Sequence, residues 1–187
     1  MWKNAKGGRE IMICLIGASA SGKSTTQKIL CKKYGYKPLI SYTTRPMREK
    51  EKDGVDYHFL TEDEFHELDD AGFFCETAKY SSWHYGTAKK DIKDNTVAVV
   101  TPSGFRKLRE LYDNVISFYL SVPRRDRLIR LLKRGDDIDE ACRRSCSDVG
   151  MFDGVEDEVD YVIKVNNDHY CMSAEEIADG INDIVKY

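Results

Sequence analysis

IMICLIGASASGKSTTQKIL, residues 11–30, joins a buried strand to a helix through a turn of small residues. Residues 11–16 are almost continuously apolar, which is typical of a strand that is covered on both faces. The alternation of polar and apolar residues over 24–34 predicts a helix. Between these elements, four residues follow the spacing G-x-x-x-x-G-K-[ST]: Gly17, Gly22, Lys23 and Ser24. A strand before this spacing and a helix after it indicate a phosphate-binding loop.

The physical chemistry of such a loop explains its affinity for phosphate. Glycines let backbone N–H groups converge on one concavity, and the helix that follows presents unpaired N–H groups and the positive end of its dipole. Lys23 adds a positive charge for the β- and γ-phosphates, and Ser24 offers a hydroxyl ligand to Mg²⁺. We therefore expect a nucleoside triphosphate in contact with the whole loop: Gly17, Ala18, Ser19, Ala20, Ser21, Gly22, Lys23, Ser24 and Thr25.

Apolar runs alternate with helical patterns along much of the remaining chain. The runs predict further buried strands at 97–101, 115–120 and 160–165. Helical patterns cover 105–111 and 173–185, and the second begins with a capping box from Ser173 to Glu176. Because strands of this kind must be covered on both faces, the pattern indicates an α/β fold: a parallel sheet of the P-loop NTPase type, flanked by helices.

Two segments interrupt the alternation. Residues 41–90 are rich in tyrosine, threonine and charge, with short strand patterns that predict a mixed α/β insertion. Residues 124–158 are helical in pattern and dense in arginine. We expect one domain over 11–187, preceded by a tail at 1–10. Its core is then formed by 11–40, 91–123 and 159–187.

Composition excludes several classes of partner. With 29 basic and 32 acidic residues the net charge is −3, which favours neither a nucleic acid nor an anionic membrane as partner. No apolar stretch approaches the length of a bilayer span, so we expect a cytoplasmic protein. Six scattered cysteines without a CxxC pair favour reduced thiols over a zinc site or a disulfide framework, and the four histidines show no ligand spacing. Composition leaves open whether the protein is a monomer or a homodimer.

The arginine-rich segment has two interpretations. Arg130 and Arg134 are four residues apart and therefore share a helix face, and Arg143 and Arg144 lie on the next helical stretch. Neighbouring acids could pair with these arginines on a solvated face, at a gain of only ~0.5 kcal/mol each. Alternatively, the segment is a lid whose guanidinium groups close over a transferring phosphoryl group and exclude water.

Further motifs give the sequence a specific resemblance. They are SYTTRPMR (41–48), DGVDY (53–57), a glutamate at 76 followed by YGT (85–87), RLLKRG (130–135) and NND (166–168). Together with the loop, they cover nearly the whole chain from Ile11 to the last helix. In this combination the sequence resembles guanylate kinase, a P-loop nucleoside monophosphate kinase that transfers a phosphoryl group from ATP to GMP.

The resemblance implies a role for individual residues on the acceptor side. Ser41 and Glu76 would bond the guanine, with Glu76 accepting from N1–H and the exocyclic amine. The GMP phosphate would be held by Arg45, Arg48, Tyr57 and Tyr85, and Thr87 would line the base pocket. Guanidinium forks suit a phosphate dianion, and phenol hydroxyls add directional donors.

On the donor side, the resemblance implies a catalytic set that surrounds the phosphates: Lys23, Arg45, Arg130, Arg134 and Arg144. Arg45 would bridge the donor and acceptor phosphates. Arg143 is the alternative to Arg144, because the segment after Gly135 is slightly shorter than in the family. Asn166 would lie near the adenine, with a plain turn former at the strand end as the alternative.

One stretch departs from the family pattern. The strand before the middle helix carries two acids in guanylate kinases, one near Mg²⁺ and one at the guanine amine. Here Val99 and Thr101 occupy those positions. Thr101 can still accept a hydrogen bond from the base, but without charge, so GMP binding is weakened by about 1.5–3 kcal/mol.

The expected reaction is in-line transfer from MgATP to GMP, and to dGMP, with no covalent enzyme intermediate. Two alternatives remain. Thr101 could mark a monophosphate kinase of altered or broadened base specificity. The chain could also be a guanylate-kinase-like binding module, although such modules usually lose the lysine and arginines that are present here.

Overall fold

The computed structural model describes residues 11–49, 51–80, 82–165 and 172–186. The tail expected at 1–10 and the predicted adenine contact Asn166 lie outside the described residues. Within those ranges, no helix is both long enough and apolar enough to cross a membrane.

The secondary structure alternates as the sequence predicts. The strands are β1 (Met12–Ile16), β2 (Lys37–Pro38), β3 (Tyr42–Thr43), β4 (His58–Phe59), β5 (Phe74–Tyr80), β6 (Trp83–Ala88), β7 (Thr96–Val99), β8 (Val115–Ser121) and β9 (Tyr161–Lys164). The α-helices are α1 (Lys23–Tyr34), α2 (Glu62–Asp70), α3 (Pro102–Leu111), α4 (Arg124–Arg134), α5 (Ile138–Ser147), α6 (Val155–Glu158) and α7 (Ala174–Lys186). A short 3-10 turn, Lys89–Asp91, follows β6.

Five strands form a parallel sheet in the order β2-β7-β1-β8-β9. Every adjacent pair is parallel, with β1 in the centre between β7 and β8. The α/β class with a parallel sheet is therefore confirmed.

Strand β1 is buried along its whole length because helices cover both faces of this sheet. Side chains alternate across a strand, so Ile13 and Leu15 pack with α1 and α7 on one face. Cys14 and Ile16 pack with α3 and α6 on the other. Burial on both faces explains why the sequence of β1 is continuously apolar.

The segment between β2 and β7 contains a second, four-stranded sheet in the order β4-β3-β6-β5. It mixes one parallel pair with antiparallel pairs, and α2 packs on it. Its small core is aromatic, with Phe65 of α2 stacked on Phe74 of β5. Helix α2 begins with a complete capping box between Thr61 and Glu64.

Two predicted boundaries are wrong, and one residue explains both. The strand predicted at 97–101 ends at Val99, and the helix predicted from 105 begins at Pro102. Thr101 is the N-cap of α3, where its hydroxyl accepts from the Gly104 N–H at 3.1 Å. A threonine N-cap followed by proline at the first helical position is a strong helix start, so the helix begins one turn early.

Helix α7 begins with the capping box that the sequence predicts. Ser173 Oγ accepts from the Glu176 N–H at 3.2 Å, and the Glu176 carboxylate accepts from the Ser173 N–H at 2.8 Å. The capping box predicted there is therefore confirmed.

Candidate functional site

A cavity of about 550 Å³ lies at the carboxyl end of the parallel sheet. The loop after β1, the second sheet and the helices α4 and α5 all contribute to its wall. In open parallel sheets this edge is where ligands bind, because the connections that leave the strands surround it.

The loop between β1 and α1 forms the floor of the cavity. Gly17 has a φ of 155°, and a Cβ at this position would lie 2.7 Å from Ser21 Oγ and 3.0 Å from the Leu120 carbonyl oxygen. The loop can therefore fold only with glycine at that position. Of the nine loop residues predicted to bind the triphosphate, eight line the cavity: Gly17, Ser19, Ala20, Ser21, Gly22, Lys23, Ser24 and Thr25. Ala18 is buried and lines a different cavity, behind the loop.

Lys23 lies folded across its own loop. Its Nζ donates to the carbonyl oxygens of Gly17 at 2.5 Å and Ala18 at 2.9 Å. Burial lowers the pKa of Lys23 to about 8; nearby arginines act in the same direction, and Asp148 opposes them. Lys23 therefore loses its proton more easily than an exposed lysine, and a negative charge bound beside it would favour the charged form.

Asp148, just after α5, connects three parts of the chain. Its buried carboxylate accepts from the Ser19 N–H at 3.1 Å, from the Tyr80 hydroxyl at 2.5 Å and from Arg127 Nη1 at 2.6 Å. Ser19 belongs to the loop, Tyr80 to β5 and Arg127 to α4. Sequence reasoning missed this residue, because nothing in its spacing distinguishes it from the surface acids nearby.

The predicted acceptor residues converge on the opposite wall. Those that line the cavity are Ser41, Arg45, Arg48, Tyr57, Glu76, Tyr85 and Thr101. Thr87 does not line it. This side chain is fully buried behind Glu76, and its hydroxyl donates to Glu76 Oε1 at 2.7 Å. Thr87 was expected to line the base pocket, but instead it orients the Glu76 carboxylate from behind.

Glu76 faces the first turn of α3. Burial raises the pKa of Glu76, and the hydrogen bond from Thr87 partly opposes that shift. A Cβ on Gly104 would lie 3.1 Å from Glu76 Oε2. Gly104 is thus a residue that sequence reasoning missed, although a glycine inside a helix, which costs about 1 kcal/mol relative to alanine, is a signal for close approach.

Glu51 organises the acceptor arginines and was also missed. Arg45 Nη2 donates to both of its carboxylate oxygens at 2.8 Å, and Arg48 donates through its backbone N–H at 2.9 Å. Burial alone would raise the pKa of Glu51, but these hydrogen bonds and positive charges hold it below its usual value. The Arg45 guanidinium also lies 5.4 Å from the centre of the Tyr57 ring.

The arginines of α4 and α5 close the third wall, where Arg130, Arg134 and Arg144 all line the cavity. Arg130 Nη1 donates to the loop carbonyls of Ala20 and Ser21 at 3.3 Å. Arg134 and Arg144 both pair with Asp136.

The structure distinguishes the two adjacent arginines of α5. Arg143 bonds Glu140 on its own helix at 2.7 Å, whereas Arg144 lies at the cavity. The geometry therefore favours Arg144 over Arg143.

Val99 and Thr101, which replace the two acids of the family pattern, both line the cavity. Val99 is half-buried there, and the Thr101 hydroxyl bonds the Gly104 N–H and the Ser103 hydroxyl. Among the described residues that line the cavity, the carboxylates are Glu51, Glu76 and Asp148, and each already accepts from a neighbour.

The polar groups of the cavity fit a magnesium ion that enters bound to a nucleotide. Ser24 offers a hydroxyl from the first turn of α1, inside the cavity. Mg²⁺ keeps several water ligands and takes phosphate oxygens readily, so it needs few protein ligands.

Comparisons with known proteins agree with one another. Residues 9–182 match a family model described as guanylate kinase. The chain is 31% identical over 160 residues to a guanylate kinase of Paraburkholderia xenovorans (strain LB400), covering 81% of this chain and 71% of that protein. It is 29% identical over 182 residues to a guanylate kinase of Clostridium acetobutylicum, covering 94% of this chain and 84% of the relative.

Solved structures show the same fold. The crystal structure of guanylate kinase from Anaplasma phagocytophilum is similar with a TM-score of 0.68 at 24% identity, over 96% of this chain and 86% of that one. A shikimate kinase from Acinetobacter baumannii, in complex with shikimate, has a TM-score of 0.53 at 13% identity, over 95% and 94% of the two chains. At these identities the structures support the P-loop fold alone.

Substitution of Asp148 tests the connection between the three parts of the chain. Asp148→Asn keeps the shape of the side chain but leaves the buried Arg127 without its counter-charge. Breaking a buried ion pair is costly, so we expect the free energy of unfolding to fall by about 3 kcal/mol. Chemical denaturation monitored by circular dichroism measures it.

The matched control is Asp153→Asn, at an exposed position in the next turn. We expect it to change the free energy of unfolding by less than about 0.5 kcal/mol. Equal effects of the two substitutions would show that Asp148 does not hold the three parts together.

Proposed function

Because the chain belongs to the guanylate kinase family and is a kinase that converts GMP to GDP with ATP, we propose that the cavity at the sheet edge is where this reaction occurs. The observation that carries the proposal is that one cavity joins the phosphate loop, the Glu76 wall and the arginines of α4 and α5. Donor and acceptor phosphates could therefore meet in it without crossing solvent.

ATP is proposed to lie along the loop from Gly17 to Thr25. The N–H groups at the start of α1 would bind the phosphates, and Lys23 would exchange its carbonyl partners for phosphate oxygens. Mg²⁺, held by Ser24 and the phosphates, would neutralise charge on the β- and γ-phosphoryl groups when bound.

GMP is proposed to lie against the second sheet. The Glu76 carboxylate would accept from the guanine N1–H and exocyclic amine, two donors that adenine does not offer together. Thr87 keeps that carboxylate in place from behind, at 2.7 Å. Ser41 and Thr101 would complete the base pocket, and dGMP is a second proposed acceptor.

The acceptor phosphate is proposed to bind Arg45, Arg48, Tyr57 and Tyr85. Arg45 and Arg48 currently share Glu51, and a phosphate dianion would compete with it for their remaining N–H groups. Since the GMP phosphate is already an anionic nucleophile, the transfer needs no general base.

The arginines of α4 and α5 are proposed to stabilise the transferring phosphoryl group. Its transition state spreads negative charge over the equatorial oxygens, which suits several guanidinium groups in a site from which water is excluded. Arg130, Arg134 and Arg144 already line the cavity. A small movement of α4 and α5 would therefore bring their guanidinium groups into contact with the transferring phosphoryl group. A pure binding module would have no use for this set.

Broadened base specificity is a second candidate because of Val99 and Thr101. The Thr101 hydroxyl is already engaged at the start of α3, and Val99 offers no polar group. Guanine recognition then depends mainly on Glu76. Turnover of GMP, dGMP and AMP in a coupled assay of ADP release separates the two candidates, because a broadened site would turn over AMP at a comparable rate.

Glu76→Gln tests guanine recognition. Glutamine can accept only one of the two hydrogen bonds, and its amide N–H₂ opposes the other donor. We expect kcat/KM for GMP to fall roughly 10- to 150-fold, the equivalent of about 1.5–3 kcal/mol, with the KM for ATP unchanged. Glu67→Gln, at an exposed position on α2, is the matched control and leaves both constants unchanged. Unaltered GMP kinetics in Glu76→Gln would contradict the assignment.

Gly104→Ala tests the close approach to Glu76. Alanine favours a helix by about 1 kcal/mol over glycine, but its methyl group would press on the carboxylate. We therefore expect a KM for GMP several-fold higher without loss of thermal stability.

Gly180→Ala in α7 is the control, because a Cβ there meets nothing within 4 Å. It should raise stability without changing the KM for GMP. If both substitutions leave that constant unchanged, Gly104 has no role in placing Glu76.

The lowered pKa of Lys23 leads us to expect that nucleotide binding depends on pH. Burial lowers the pKa of Lys23 to about 8 in the free protein, and bound phosphates favour its charged form. Binding of MgATP above pH 8 must therefore take up a proton, and its affinity must fall as the pH rises through that value. Isothermal titration calorimetry at pH 8.5, in buffers of different ionisation enthalpy, counts the protons.

Lys23→Arg is the control, because arginine stays charged throughout this range. We expect its MgATP affinity, whatever its absolute level, to be independent of pH between about 7.5 and 9. Proton uptake of equal size in both proteins would exclude Lys23 as the source.

A further inference from the structure

A second group of titratable side chains lies outside the cavity, where α2 packs against β6. It consists of Glu62 and His66, one turn apart on α2, and His84 on β6. One ligand atom from each of the three residues lies within 4.8 Å of the others. The sequence assigns the histidines no role, because His84 is eighteen residues from its nearest partner.

The distances suit a tetrahedral metal ion. Glu62 Oε2 is 2.8 Å from His84 Nδ1 and 3.9 Å from His66 Nε2. Zinc bonds of ~2.0–2.1 Å place neighbouring ligand atoms roughly 3.4 Å apart, between these two values. Each of these two distances would have to change by about half an ångström, and the His66 and His84 nitrogens, which lie within 4.8 Å of each other, would have to reach the same separation.

His84 is held rigidly in position. Its backbone N–H donates to Thr44 Oγ1 at 3.0 Å, and its carbonyl accepts from the Thr43 hydroxyl at 2.9 Å. Its ring stacks on Phe65, which is almost fully buried, with the ring centres 5.5 Å apart. A ligand that is already ordered loses little entropy when it binds a metal.

Glu62 is oriented as well. Its carboxylate lies 2.8 Å from His84 Nδ1, and Thr44 Oγ1 in turn accepts from the His84 backbone N–H at 3.0 Å. Such outer partners fix the direction of a metal ligand. The side chains of Glu62 and His66 are 47% and 59% exposed, which leaves solvent access for a fourth, water ligand.

We propose that Glu62, His66 and His84 form a binding site for a divalent transition-metal ion, with zinc as the best match. Two imidazoles and one carboxylate are a known ligand set for zinc, and the imidazole nitrogens favour zinc over magnesium or calcium. The ion would connect α2 to β6 next to Thr44, and Arg45 follows directly in the acceptor wall. Its role would be to stabilise the second sheet, independently of the nucleotide cavity.

The experiment titrates zinc into the EDTA-treated, nucleotide-free full chain and measures stoichiometry and Kd by isothermal titration calorimetry. Cobalt replaces zinc in a parallel titration, because tetrahedral Co²⁺ gives strong visible ligand-field bands. The test variants are His66→Ala and Glu62→Gln, both at exposed positions where folding should be unaffected. Glu67→Gln on the same helix is the matched control.

We expect the parent chain and Glu67→Gln to bind one zinc ion that the two test variants bind at least tenfold more weakly. The midpoint of thermal unfolding should rise with zinc in the parent chain and not in His66→Ala. Equal zinc binding by the parent chain and both test variants would overturn the proposal. So would zinc binding that is lost only when Cys142 or Cys146 is replaced by serine.

Discussion

The buried carboxylate of Asp148 is the contact on which the arrangement of the cavity depends. It accepts from the phosphate loop, the second sheet and α4, through Ser19, Tyr80 and Arg127. A buried charge is tolerated only when donors surround it, so the three parts must pack together to satisfy it. Because Ser19 is one of the loop residues that line the cavity, the same contact also fixes the loop against the walls of the cavity.

Around this contact, the described residues that line the cavity include Lys23 and five arginines. The arginines are separated by acids: Glu51 lies between Arg45 and Arg48, and Asp136 between Arg134 and Arg144. Each carboxylate holds the two guanidinium groups beside it in place. A phosphate would offer the same geometry with more charge, so under the proposed function a substrate would meet donors that are already in place.

Much of the architecture could be predicted because it follows from local pattern. Apolar runs gave the parallel sheet, since only strands covered on both faces carry them, and the capping box at Ser173 gave the start of α7. The prediction was wrong at residues 100–104, where the apolar pattern of the strand continues but the N-cap chemistry of Thr101 ends it. The cavity residues were largely predicted from motifs, with Thr87 displaced behind Glu76.

The sequence by itself determined the phosphate loop, because the required spacing, backbone freedom and helix start all lie within nine consecutive residues. It also determined which residue types could meet two phosphates and a purine. Only the tertiary structure decided that Arg144 and not Arg143 reaches the cavity, that Gly104 makes room for Glu76, and that Asp148 joins Ser19 across 129 positions of chain. Those contacts depend on how helices and sheets pack, and packing brings together residues whose spacing in the sequence carries no signal.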